Sequence, residues 1–203
     1  AERLGDRVTR WATLNEPWCT SHLGYHAGAH APGHTDSAEA MAAAYTLLRA
    51  HHLADAAIRA AASGAEVAAD SEGDADAARA LDAVRNRWWL DGIVNGTVPN
   101  DAVAAWEAVG GTPDLRDGDL SGQRPDWLGI NYYYSETVSS SPEGTQPLPD
   151  ACCAPARSVV PEPPLTAMGW PMDPAAFADL LRRVHREWGP LPLVITENGA
   201  AFD

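Results

Sequence analysis

Val8 to Asn15 is rich in β-branched and aromatic residues and stops before Pro17, which has no N–H with which to continue a ladder. The stretch predicts a strand that delivers Asn15 and Glu16 at its C-terminal end. Cys19 to Thr35 is polar and punctuated by Gly24, Gly28, Pro32 and Gly33, which predicts a loop. Asp36, with Glu39 three residues on, reads as a capping box. The Ala-rich stretch to Ser63 then predicts a long helix closed by Gly64 at the C′ position. A second helical region runs from Asp74 to Leu90, and a shorter one from Asp101 to Val109.

Trp127 to Tyr134 predicts a second strand. Ser135 to Pro171 is Pro-rich and without clear periodicity, and so long a segment in a compact domain is usually functional or disordered. Asp173-Pro174 supplies a cap and a first-turn proline for a helix that ends at Gly189. Leu191 to Thr196 is the third strand, and its run of Leu193, Val194 and Ile195 predicts burial on both faces, as in a parallel sheet. Strands separated by helices predict an α/β fold. Acidic residues at strand C-termini favour a (β/α)8 barrel over an open doubly wound sheet.

Composition narrows the functions open to such a fold. A chain of 203 residues with 45% hydrophobic residues is long enough for one domain with a core. Its net charge of −14 repels phosphate backbones and anionic lipid, so nucleic acid and membrane surfaces are poor partners and a neutral small molecule is a better one. Cys19, Cys152 and Cys153 form neither a disulfide framework nor a CxxC metal motif, which fits a reducing cytoplasm. No apolar run of 18 residues and no signal-like N-terminal stretch is present in the sequence. Eight tryptophans suit stacking on sugar rings, although core packing is the reading favoured for each one singly.

Two predicted strand ends carry chemistry: Thr13-Leu14-Asn15-Glu16-Pro17 and Ile195-Thr196-Glu197-Asn198-Gly199. Each puts a carboxylate where a buried strand meets the loop face, beside a side-chain amide. Two carboxylates at one mouth can divide the labour of glycosidic bond cleavage, one donating a proton to the leaving oxygen and the other attacking the anomeric carbon. Read singly, either Glu could be an exposed loop carboxylate. His22, His26, His30 and His34 recur every four residues, but the glycines and proline among them argue against a helix that would stack them for a metal. His51 and His52 are neighbours on the Ala-rich helix and do not share a face, so they read as packed or solvated histidines.

Thr13-Leu14-Asn15-Glu16-Pro17-Trp18 and Ile195-Thr196-Glu197-Asn198-Gly199 resemble the acid/base and nucleophile signatures of glycoside hydrolase family 1. Asp126-Trp127-Leu128-Gly129-Ile130-Asn131-Tyr132-Tyr133 resembles the strand that supplies a tyrosine beside the nucleophile. His30-Ala31-Pro32-Gly33, Asn86-Arg87-Trp88-Trp89-Leu90-Asp91 and Thr166-Ala167-Met168-Gly169-Trp170 are also similar to family segments, in the family's order. The resemblance implies a retaining β-glycosidase of the β-glucosidase type acting on small β-glycosides. Glu16 would be the acid/base and Glu197 the nucleophile, with carboxyl groups about 5 Å apart in a complete site. Asn15 would hold the substrate 2-hydroxyl. Tyr133 would hydrogen-bond Glu197 with Asn131 beside it, Trp170 would form part of the aglycone wall, and Trp18 would pack or support Glu16. No cofactor or metal is implied.

Family members are about twice this length and form a complete barrel; the resemblance covers the fourth to seventh strands. The chain is therefore expected to be a single incomplete barrel domain, 1–203, a fragment with little activity alone. Ala65-Glu66-Val67-Ala68 is all that stands where the family has its fifth strand, so most of that strand is expected to be missing. Two alternatives stay open: a non-catalytic remnant or carbohydrate-binding pseudoenzyme, and a 6-phospho-β-glycosidase, which the acidic balance disfavours. Sugar preference and oligomeric state stay open as well.

Overall fold

A computed structural model describes residues 1–61, 66–68, 79–111, 114, 116, 118–139, 143, 145–148 and 157–202. The fold is α/β. Strand β1 (Arg10–Ala12) pairs in parallel with β2 (Glu66–Ala68), and β3 (Leu128–Tyr132) pairs in parallel with β7 (Leu193–Asn198). Helices lie between successive parallel strands: α1 (Ser37–Ala61) after β1, α2 (79–95) and α3 (Asn100–Glu107) after β2, and α4 (Pro174–Trp188) before β7. The Pro-rich segment holds three short antiparallel strands, β4 (Val138–Ser139), β5 (Thr145–Pro147) and β6 (Arg157–Val159), in the order β4-β6-β5.

The local signals act as their chemistry requires. Asp36 Oδ1 accepts from the N–H groups of Ala38 and Glu39 at 2.8 and 3.0 Å, capping α1. Glu39 turns instead to His34 Nδ1 at 2.6 Å. Asp173 Oδ1 caps α4 through Ala175 and Ala176 at 3.1 and 3.0 Å, with Pro174 opening the helix. The predicted closure of α1 at Gly64, the start of the second helix at Asp74, and Cys152 and Cys153 lie outside the described residues.

Five of the eight tryptophans are buried (Trp88, Trp89, Trp106, Trp127 and Trp188), so the core reading holds for most of them. All but Trp127 join Met41, Leu48, Ile93, Leu128 and Ile130 between the helices and the β3–β7 pair. Polar contacts fix the layers against each other. His52 Nε2 lies 2.9 Å from the Gly92 carbonyl oxygen, joining α1 to α2. Arg183 on α4 grips Asp82 of α2 with two parallel bonds of 2.8 and 2.7 Å, while Trp188 Nε1 donates to Asp91 at 2.7 Å. Bonding to Asp82 raises the Arg183 guanidinium above its ordinary range, so it stays charged.

Two expectations are corrected, and a third gains detail. The loop expected from Cys19 contains a helical turn at Cys19–His26, in which the Ala27 N–H reaches the His22 carbonyl five residues back. Gly24, taken as a breaker, is a packing glycine: a Cβ there would meet the Ala31 carbonyl oxygen at 2.8 Å. The short Glu66–Ala68 segment, read as too short and weak to span a sheet, forms a three-residue strand in parallel register with Arg10–Ala12. Finally, β7 is not buried on both faces. Ile195 is 52% exposed, because among the described residues β7 has a parallel neighbour on one side only.

Candidate active site

The C-terminal ends of β1, β3 and β7 converge, and Asn131 at the end of β3 ties them together. Its side chain is fully buried. The amide nitrogen donates to Asn15 Oδ1 at 3.3 Å and to Glu16 Oε1 at 3.2 Å, both just beyond β1. Its amide oxygen accepts from the Thr196 hydroxyl on β7 at 2.9 Å. Three strand ends are thus joined through one amide.

The β3–β7 register explains how Glu197 arrives there. Ile130 pairs with Ile195, but Asn131 pairs with Glu197, so Thr196 is an extra residue in the ladder. Side chains alternate faces along a strand, and paired residues of parallel neighbours share a face. The extra residue therefore turns Glu197 to the face of Asn131. Room for the bulge comes from Gly129, where an added Cβ would lie 3.0 Å from Thr196 Oγ1 and 3.2 Å from its methyl carbon. Tyr133, one residue past β3, donates its hydroxyl to Glu197 Oε2 at 2.5 Å. Asn198 donates to the Tyr132 carbonyl at 2.6 Å and holds the strand end beyond the bulge.

Glu16 is held differently. Its φ of 43° lies in the left-handed region, unusual for a residue with a side chain and a mark of stored strain near functional groups. The turn that follows keeps it there. Thr20 N–H reaches the Glu16 carbonyl at 3.3 Å, and the Ser21 hydroxyl donates to the Pro17 carbonyl at 3.0 Å. Trp18 packs against both the His22 ring, 5.3 Å away and stacked, and the Arg85 guanidinium, 5.0 Å from its centroid. Arg85 in turn bonds Glu136 at 2.6 Å, beyond β3.

His22 packs on Trp106 at 4.9 Å. Burial, then the neighbouring His26 and Arg85, pushes the His22 imidazole down to about 3, so it stays neutral. Behind β1, His51 Nδ1 lies 2.6 Å from the Thr13 hydroxyl, and burial followed by His52 lowers its pKa to about 4. Among the described residues no group of three or more His, Cys, Asp or Glu side chains is placed to hold a metal. The four spaced histidines are dispersed onto Trp106, Ser37 and Glu39, with His30 exposed.

Trp170, half-buried, stacks on Tyr134 at 5.0 Å and leans on Tyr133 at 5.7 Å. All six residues singled out from the sequence therefore gather at one end of the strands: Asn15, Glu16, Asn131 and Glu197 around the central amide, Tyr133 on Glu197, and Trp170 on Tyr133. Thr196, Tyr134 and the partners of Trp18, Arg85 and His22, escaped the sequence reading. A glycine inside an apolar strand, Gly129, was the available signal for the first.

The sequence model of Glycosyl hydrolase family 1 matches residues 1–203. A bifunctional β-D-glucosidase/β-D-fucosidase of Bifidobacterium breve is 38% identical over 99% of this chain and 46% of its own length. β-Glucosidase A of Thermotoga maritima is 34% identical over 100% of the chain and 46% of its own. The chain thus spans about half the length of the curated relatives it matches. The crystal structure of a psychrophilic β-glucosidase from Micrococcus antarcticus superposes with a TM-score of 0.88 at 34% identity, covering 99% of this chain and 48% of that one. No described helix is long and apolar enough to cross a membrane. On the match along its whole sequence, the chain belongs to glycosyl hydrolase family 1.

Proposed function

We propose that this chain carries the two catalytic carboxylates of a retaining β-glycosidase of the β-glucosidase type. In this reading β1, β2, β3 and β7 take the places of the fourth to seventh strands of a (β/α)8 barrel, and the substrate is a small β-glucoside. The observation that carries it is the gathering of Glu16 and Glu197 around Asn131, each held by its own donor. The names of the relatives, β-glucosidases among them, agree with it.

The reaction is a double displacement. The Glu197 carboxylate attacks the anomeric carbon while the Glu16 carboxylic acid gives its proton to the glycosidic oxygen, and that C–O bond breaks to release the aglycone alcohol. A water molecule then enters, Glu16 (now a carboxylate) takes its proton, and the water oxygen displaces Glu197 from the anomeric carbon. Tyr133 stabilises Glu197 in its charged form, before attack and again as it leaves. Asn15 offers its amide hydrogens to the 2-hydroxyl, a contact that strengthens as the ring becomes oxocarbenium-like. Trp170, set on Tyr133 and Tyr134, offers an aromatic wall to the aglycone.

Release of nitrophenol from an aryl β-glucoside by the purified protein, with Glu197→Gln and Glu16→Gln alongside, tests the assignment. Turnover lost in Glu197→Gln supports it, and turnover that survives both substitutions overturns it. A protein in which both carboxylates bind sugar without turnover would be the remnant, a reading that no feature of the site favours.

A further inference from the structure

The residue before the candidate nucleophile bonds the amide that holds the candidate acid/base. We propose that Thr196 is a positioning residue whose hydroxyl fixes the amide of Asn131, so that its NH2 faces Glu16 and Asn15. The inference rests on reading Glu16 as the acid/base.

An asparagine amide can sit either way round in its pocket, because its oxygen and nitrogen have nearly the same shape. At Asn131 the choice matters, since one end meets Thr196 and the other meets two oxygens, Glu16 Oε1 and Asn15 Oδ1. With the oxygen toward Thr196, the hydroxyl donates to it and both amide hydrogens meet acceptors. The reverse orientation puts the amide oxygen against Asn15 Oδ1 and Glu16 Oε1. Asn131 is fully buried, so its amide draws on these partners rather than on bulk water.

The orientation passes onward. Because Asn15 Oδ1 accepts from Asn131, the hydrogens of the Asn15 amide are the end left to face a sugar hydroxyl. One hydroxyl on β7 thereby orders the acid/base and the proposed 2-hydroxyl ligand just beyond β1. The bulge makes this possible: Thr196 is the residue outside the β3–β7 register, and it occupies the space that Gly129 leaves open.

The test compares Thr196→Val and Thr196→Ala, which delete the hydroxyl, with Thr196→Ser, which keeps it. In the 15N-labelled 203-residue chain, the Asn131 side-chain NH2 signals are assigned by their loss in Asn131→Asp. The expected result is nuclear Overhauser contacts from those hydrogens to the Asn15 and Glu16 side chains in the wild type and Thr196→Ser, weakened or lost in a folded aliphatic variant. Unchanged contacts in either folded aliphatic variant would overturn the proposal.

Kinetics supply a second arm. A misplaced acid hurts substrates that need protonation, so Thr196→Val should lose about tenfold more kcat/KM on methyl β-glucoside than on dinitrophenyl β-glucoside. Thr196→Ser should recover it. Equal losses on both substrates would contradict the role. The amide signals need no turnover, so a chain without glycosidase activity leaves this inference to be decided by those signals alone.

Discussion

Tyr133 donates its hydroxyl to Glu197 Oε2 at 2.5 Å, which makes the phenol the closest described hydrogen-bond donor to the candidate nucleophile. Hydrogen bonds to a charged group contribute about 1.5–3 kcal/mol. Tyr133→Phe keeps the ring against Trp170 and removes only the donor. It should therefore lower kcat/KM on an aryl β-glucoside by roughly tenfold to a hundredfold while moving the thermal midpoint little. Parallel kinetics and melting curves on the variant check both halves of that expectation.

Glu16 stands in a left-handed backbone conformation, and only glycine adopts that region without steric cost. Glu16→Gly and Glu16→Ala should both lose acid catalysis. The glycine variant should nevertheless be the more stable by about 1 kcal/mol, because alanine keeps the Cβ clash. Urea unfolding of the pair measures the difference.

Asp82 is nearly buried between Arg87 and Arg183, with Asn86 also donating to it. Asp82→Ala leaves two guanidinium groups with one acceptor fewer in a partly dry interface between α2 and α4. Removing one partner of such a network costs about 3–5 kcal/mol. Arg183 is less deeply buried than Asp82, so the lower end of that range is expected in chemical denaturation.

The neutral buried histidines give the fold a pH dependence whose sign is fixed. His22 and His51 titrate near 3 and near 4 when folded, against 6.5 in the unfolded chain. Between about pH 4 and 6.5 the unfolded state binds more protons, so stability falls as pH falls through that window, by about 1.4 kcal/mol per pH unit for each histidine. Below the folded values the two states bind alike and this contribution levels off. His22→Phe retains a ring between Trp18 and Trp106 and should flatten the slope of thermal midpoint against pH.

Gly129→Ala places a methyl group 3.0 Å from Thr196 Oγ1. Overpacking of this kind costs about 1–3 kcal/mol. Thr196→Ala in the same background should recover part of the loss, and a double-mutant cycle in urea reads the coupling.

Much of this arrangement was legible in the sequence, where local chemistry decides the outcome. Asp173-Pro174 fixed the start of α4, and Asp36 the cap of α1, because each supplies the acceptor its own helix needs. Asn15, Glu16 and Glu197 could be singled out because strand ends and signature motifs coincide. What stayed hidden depends on partners distant in the chain. The helical turn at Cys19–His26 follows from Gly24 packing on the 31–32 segment, which no local pattern announces. Glu66–Ala68 is a strand only because Arg10–Ala12 lies beside it, and Ile195 is exposed because β7 has a single described neighbour. The role of Thr196 depends on a bulge, one residue of register set by Gly129 across the sheet.

The most direct test of the central claim is to trap the glycosyl-enzyme. A dinitrophenyl 2-deoxy-2-fluoro-β-glucoside has a leaving group that departs without a proton and a sugar whose second step is slow, so attack leaves the nucleophile esterified. Incubation followed by proteolysis and mass spectrometry should find the fluoroglucosyl group on Glu197, and its absence in Glu197→Gln. A stable adduct on any other residue, or turnover of the aryl glucoside with Glu197 left unmodified, would contradict the account.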